Sequence, residues 1–116
     1  MKKKEWTLVM AETDGSRTYV NFKRTIKSGN TVWMWVLMDF KKAQISLSDN
    51  SKFLSQTYLC QFDCKNMTSE LLQFSLYSEN MSKGLVVYQQ SNLEMEAHKI
   101  KGYFDETLFK IACTIK

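Results

Sequence analysis

Residues 31–40, TVWMWVLMDF, are the most apolar run in the chain. With the two-residue repeat of a strand, Val32, Met34, Val36 and Met38 share one face, and Trp33, Trp35 and Leu37 share the other. A strand apolar on both faces needs cover on both. That cover is expected to be a helix on one side and a partner subunit or a folded-over strand on the other. Two bare tryptophans on one strand would be an unusual patch for a monomer.

The same period runs through most of the chain. Residues 5–10 place Trp6, Leu8 and Met10 on one face, and Asp14-Gly15 is a tight-turn signal before residues 17–23 alternate again. Ser28-Gly29-Asn30 marks the next turn. Residues 41–52 are polar and read as a loop. Residues 56–64 set Tyr58, Cys60, Phe62 and Cys64 against Gln61 and Asp63; residues 70–79 align Leu72, Phe74 and Leu76. Residues 85–90 form a further strand and 95–100 a short last one. From Tyr103 the repeat lengthens, with Phe104, Leu108, Ile111 and Ala112 spaced by three and four, Asp105 and Glu106 in the first turn and Lys110 in the last. Gly102 is the expected helix start. The expected fold class is α+β, mainly β: a single antiparallel sheet of about six strands with a C-terminal helix packed on it.

At 116 residues the chain has room for one core, and its 44% apolar and 24% charged composition is globular. With no proline and four glycines, Pro-rich and Gly-rich linkers are excluded. The expected division is a lead at residues 1–4, disordered or of recombinant origin, and a single domain at 5–116. The net charge of +4 falls to +1 once Lys2, Lys3 and Lys4 are set aside, which argues against a nucleic-acid footprint. No run of about 18 apolar residues exists to span a membrane. The basic start lacks the apolar core of a signal peptide. Either the protein is cytoplasmic or its signal peptide was removed.

Sites of chemistry are few. The phosphate-binding glycine loops and the nucleophile elbow are absent. A Ser-His-Asp arrangement would have to use His98, the single histidine, whose neighbours Ala97 and Lys99 mark a surface or strand-edge position. No catalytic, cofactor-binding or metal residues are assigned, and no cofactor is expected. Cys60-X-X-X-Cys64 lacks the usual zinc spacing. Cys60 and Cys64 lie on the core-directed face, and Cys113 ends the helix that should cover it. A bridge from either one to Cys113 would staple the helix to the sheet, closing a loop of about 50 residues and stabilising by roughly 3–4 kcal/mol. The alternative is three buried free thiols. Helical phase puts Cys113 off the Phe104/Leu108/Ile111 stripe. The helix must therefore end before Cys113 or bury a wide face that includes Phe109.

Between Trp6 and Cys113 the chain resembles the surface-adhesin protein E family of Gram-negative bacteria. The residues that carry the likeness are Trp6, Tyr19-Val20-Asn21, Gly29-Asn30-Thr31-Val32, Trp35-Val36-Leu37-Met38-Asp39, Ser55, Asp63-Cys64, Tyr77-Ser78, Gly84-Leu85-Val86-Val87 and Cys113. The resemblance implies a secreted or lipid-anchored envelope protein with an antiparallel sheet and a C-terminal helix. It also implies a disulfide between Cys64 and Cys113, leaving Cys60 as a departure from the pattern. The family's named member binds host extracellular-matrix and serum proteins and is dimeric.

The leading expectation is a non-enzymatic, extracytoplasmic binding module for a host extracellular-matrix, serum or envelope protein, without a membrane span or a nucleic-acid ligand. Trp33, Trp35, Lys23, Arg24 and Lys27 are its candidate partner-binding residues. A structural protein that self-associates, such as a homodimer through Trp33, Trp35 and Leu37, is the alternative. A small hydrolase or inhibitor has no nameable nucleophile–base pair.

Overall fold

The computed structural model describes residues 5–93 and 96–115. Among these residues seven strands and one α-helix follow one another as β1 (Thr7–Ala11), β2 (Arg17–Ser28), β3 (Thr31–Ile45), β4 (Lys52–Asp63), β5 (Thr68–Tyr77), β6 (Val86–Gln90), β7 (His98–Lys99) and α1 (Gly102–Cys113). The first six form an antiparallel meander in chain order, and β7 pairs with β5 beyond the end of β6. Short polar turns impose this order, because antiparallel neighbours need only a hairpin. At the first turn Asp14 accepts from the backbone N–H and hydroxyl of Ser16. At the turn after β4, Asp63 accepts from the backbone N–H groups of Lys65 and Asn66. The expected lead at residues 1–4 and Met95 lie outside the described residues.

The central strand has the expected two faces. Val32, Met34 and Val36 are buried beneath α1 with Val20, Tyr58, Cys60 and Phe62. Leu108 and Ala112 of the helix complete this core, and Phe109 meets Phe62 edge-on at 6.3 Å between ring centroids. The helix therefore buries a wide face and still runs to Cys113. Cys113 is bonded to Cys64, with 5.7 Å between the Cα atoms, and pins the helix end to the end of β4. Cys60 is a buried free thiol.

Five register shifts interrupt the ladders, one of them at Val87 between β5 and β6, and the other four bear on the expected elements. Val9 is an extra residue between Leu8, opposite Tyr19, and Met10, opposite Thr18. The inserted residue turns Met10 onto the helix side, whereas Trp6 packs on the other face with Tyr19 and Leu37. Trp6, Leu8 and Met10 thus do not share a face. Leu72 is similarly skipped between Gln73, opposite Leu59, and Leu71, opposite Cys60. Leu71, rather than Leu72, joins Phe74 on the helix-side face.

The other two shifts are larger. In β2, residues 22–25 loop out opposite Met34, between the pairs Asn21–Trp35 and Ile26–Trp33. The excursion is held by Asn21, whose Oδ1 accepts from Arg24 N–H at 3.1 Å and whose carbonyl accepts from the Thr25 hydroxyl at 2.8 Å. In β3, residues 40–43 stand against Leu54, after which Gln44 and Ile45 pair with Phe53 and Lys52. The polar region at 41–52 is accordingly a hairpin extension with its tip at 46–51, not a loop throughout. Polar residues fit there because the extension projects past the core, leaving most of them exposed.

Candidate functional site

The face of the sheet away from α1 is covered over only part of its width. Leu37 is sealed at 0% exposure by Trp6, Tyr19 and Met81. Met81 arrives on the β5–β6 connection, which folds back over the sheet as a short 3₁₀ turn, Asn80–Ser82. Two side chains hold that turn down. Asp39 Oδ1 accepts from Asn80 Nδ2 at 3.0 Å and from the Met81 backbone N–H at 2.8 Å. The Ser55 hydroxyl donates to the Glu79 carbonyl at 2.6 Å and accepts from the Ser82 N–H at 2.9 Å. The two-sided cover required by the central strand is therefore supplied within one chain at Leu37, by helix and loop.

Beyond the loop, Trp33 and Trp35 are half-buried on an open face. The Trp33 indole N–H donates to Gln61 Oε1 at 2.8 Å across the β3–β4 ladder, which ties the ring to its paired residue. Arg24 reaches over Trp35 with its guanidinium carbon 5.1 Å from the ring centroid. The β2 excursion delivers it there, since regular pairing would place fewer residues between Asn21 and Ile26. Ile26, paired with Trp33, adds an apolar side chain that is 61% exposed.

Beside Trp35 lies a cavity of about 410 Å³ lined by Trp6, Arg24, Thr57, Gln73, Ser75 and Tyr77, among others. Among the described residues its walls offer hydroxyls, an amide, a guanidinium and aromatic rings, but no carboxylate. The Trp6 indole N–H, also at this end, is a buried donor without an acceptor among the described residues. An unmet buried donor costs about 1–3 kcal/mol. This arrangement suits an acceptor-rich, negatively charged group laid against an aromatic floor.

The structure separates the expected basic cluster. Lys23 and Arg24 both ride on the β2 excursion, and Arg24 is the one stacked on Trp35. Lys27 pairs with Val32, a residue of the helix-side face, and its Nζ donates to the Ile115 carbonyl at 2.7 Å. Sequence reasoning placed Gln61 on this face without a role, and did not find Trp6, Gln73 or Tyr77 as site residues. Strand phase gave the signal for Gln61; no local signal announces the others, which belong to distant strands and a bulged one.

A second cavity, about 360 Å³, lies on the helix side, where Ser69, His98 and Asp105 come together. Ser69 Oγ is 3.2 Å from His98 Nε2, and Asp105 Oδ2 is 3.5 Å from the same nitrogen. A serine-activating histidine uses one nitrogen for the serine and offers the other to the carboxylate. Here both partners meet one nitrogen, so the trio has the wrong connectivity for that chemistry. His98 sits on the edge strand and is 59% exposed, as its neighbours predicted. Among the described residues no group of three or more His, Cys, Asp or Glu side chains is placed to hold a metal ion.

Comparison with known proteins bears on this geometry. The fold matches Haemophilus influenzae protein E in one crystal form at a TM-score of 0.68, with 11% identity over 98% of this chain and 91% of the other. A second protein E structure from the same species gives 0.62 at 13% identity, covering 97% of this chain and 83% of that one. A third, from a non-typeable strain, gives 0.64 at 13% identity, covering 98% and 76%. No curated protein matches by sequence. At such identities the structural likeness establishes the fold alone. The family model described as "Surface-adhesin protein E" matches residues 6–114, nearly the whole chain, and the chain belongs to that family of adhesin-type surface proteins.

Proposed function

We propose that this protein is a non-enzymatic binding module acting outside the cytoplasm, and that it captures a protein partner on the open face of its sheet, with host extracellular-matrix and serum proteins as the partner class. Family membership supports a surface-adhesin role and an extracytoplasmic location. Among the described residues no helix is long and apolar enough to cross a membrane.

The observation that carries the reading is the contrast along β3. Leu37 is sealed by the chain's own loop, whereas Trp33, Trp35 and Ile26 two strands wide are left accessible with Arg24 above them. Tryptophan and arginine dominate binding energy at protein interfaces, because each brings a large rigid contact area and a polar handle. A partner with an apolar side chain for Trp33 and Ile26 and a carboxylate for Arg24 would be complementary. Lys23 adds charge at the rim and speeds encounter more than it holds the complex.

Immobilised laminin and vitronectin provide the test. Saturable binding is expected, weakened about tenfold or more in Trp33→Ala and Trp35→Ala. Lys27→Ala, on the other face, should leave it unchanged. Absence of saturable binding to either protein removes the host-protein reading.

The exposure of Ile26 next to Trp33 favours one further reading, a homodimer through the same patch. Leu37 takes no part in such an interface, because its own chain covers it. Sedimentation at micromolar concentration distinguishes the two: a dimer abolished by Trp33→Ala supports self-association, and a strict monomer rules it out.

A further inference from the structure

The helix-side face of the sheet is broader than one helix. Strands are spaced by about 4.8 Å, and a helix with its side chains is about 10–12 Å across, so α1 roofs about two or three strands. Its contacts fall chiefly on β3 and β4. Leu71 and Phe74 of β5 face the same side as Cys60 and Tyr58, yet stay only half-buried. Phe104, on the first turns of α1, is half-buried as well.

The space left over is the 360 Å³ cavity, with apolar walls of Cys60, Phe62, Leu71, Phe74, Phe104 and Leu108. An apolar cavity of about 150 Å³ already suffices to bind benzene. Ser69, His98 and Asp105 give this one a polar margin, which opens to solvent where His98 is exposed. Among the described residues no lysine or arginine lines it. The margin carries the Asp105 carboxylate, about one-third exposed at 32%, with His98 Nε2 3.5 Å away as its basic neighbour. The carboxylate's field is felt inside: Tyr58 and Cys60 are both pushed up, first by burial and then by nearby negative charge that includes Asp105.

We propose that this cavity is a binding site for a small apolar molecule carrying an amine, its hydrocarbon body packed against Phe62, Phe74 and Phe104 and its amine directed to Asp105. The shape and the apolar walls supply affinity, and the Asp105 carboxylate selects the head group. A carboxylate-headed molecule of the same length would bring a second negative charge to Asp105, where His98 already serves the first. This site is on the opposite side of the sheet from the tryptophan patch and does not depend on the protein-binding reading.

The test uses the intact, disulfide-bonded protein, with 1-aminoanthracene as a fluorescent probe and decylamine, decanol and decanoate as competitors. The expected result is saturable probe binding, displaced by decylamine about tenfold more effectively than by decanoate, with decanol between them. Asp105→Asn should bring decylamine and decanoate together. Leu71→Trp, which fills the cavity from its margin, should abolish probe binding, whereas Trp35→Ala should preserve it. Cys60 supplies a readout that needs no substitution: saturating decylamine should slow its alkylation by N-ethylmaleimide. Equal competition by decanoate, or alkylation of Cys60 that ignores decylamine, overturns the proposal even where Leu71→Trp does not fold.

Discussion

Arg24 lies over the Trp35 ring at 5.1 Å although the backbone neighbour of Trp35 in β2 is Asn21. The β2 excursion closes that distance, and the buried Asn21 side chain accepts the Arg24 backbone N–H to shape it. The stack lies in an exposed position, so its contribution to stability is small, about 0.5–1 kcal/mol. Its effect on recognition should be larger. Arg24→Ala is expected to shift the urea midpoint little, to alter Trp35 fluorescence, and to weaken partner binding about tenfold. Arg24→Lys should rescue only part, because a compact ammonium stacks less well on an indole. Normal binding by Arg24→Ala would show that the guanidinium is merely parked on the ring.

The Cys64–Cys113 bond spans 49 residues and is expected to stabilise by about 4 kcal/mol through restriction of the unfolded chain. Paired substitution to alanine should lower the denaturant midpoint accordingly. The sheet ladders do not involve the bond, whereas the end of α1 does. Loss of helical protection in hydrogen exchange should therefore precede loss of strand protection. Alkylation of the unreduced, denatured protein should label a single thiol, Cys60, and peptide mapping would locate it.

Ser55 is fully buried and bonds the β5–β6 loop twice, once as donor and once as acceptor. Ser55→Ala leaves the Glu79 carbonyl and the Ser82 N–H without that partner, at a cost of about 1–3 kcal/mol. Gly84 is coupled to the same loop. Its φ of +81° suits glycine, and an added Cβ would collide with Ser78 Oγ and Glu79. Gly84→Ala should also destabilise. Either change should loosen the cover over Leu37, measured as faster exchange of the 79–83 amides and increased binding of a hydrophobic dye.

The central strand was legible in the sequence because its two apolar faces follow a strict period of two from Val32 to Met38. The same rule failed at Met10 and Leu72, where a single bulged residue reverses the phase without any local change in residue type. It also missed the hairpin extension at 41–45, because a strand projecting past the core has no apolar side to bury. The helix stripe was legible, but the burial of Phe109 that brings Cys113 to Cys64 depends on Phe62 in a distant strand. For the site, the tryptophans could be read from β3 alone. The separation of Lys27 from Arg24, and the approach of Trp6, Gln73 and Tyr77 to Trp35, arise from strand order and register, which no single segment encodes.

Alkaline titration gives a test of the core. Burial, followed by the charge of Asp105, raises the Cys60 thiol from 9.0 to about 12. Burial raises the Tyr58 hydroxyl well above 10.0 as well. In the unfolded chain the thiol loses its proton near 9, whereas the native thiol keeps it until about 12. Across that interval the unfolded state binds fewer protons, so stability falls as pH rises. Below the lower value both states are protonated, and the group contributes no slope. Urea midpoints measured from pH 8 upward should thus decline steeply for the wild type. They should decline less for Cys60→Ala, which removes the titrating thiol while creating only a small cavity, and the slope that remains should belong largely to Tyr58. Identical slopes in the two proteins would mean that Cys60 ionises as freely in the native state as in the unfolded chain, contrary to its position beneath the helix.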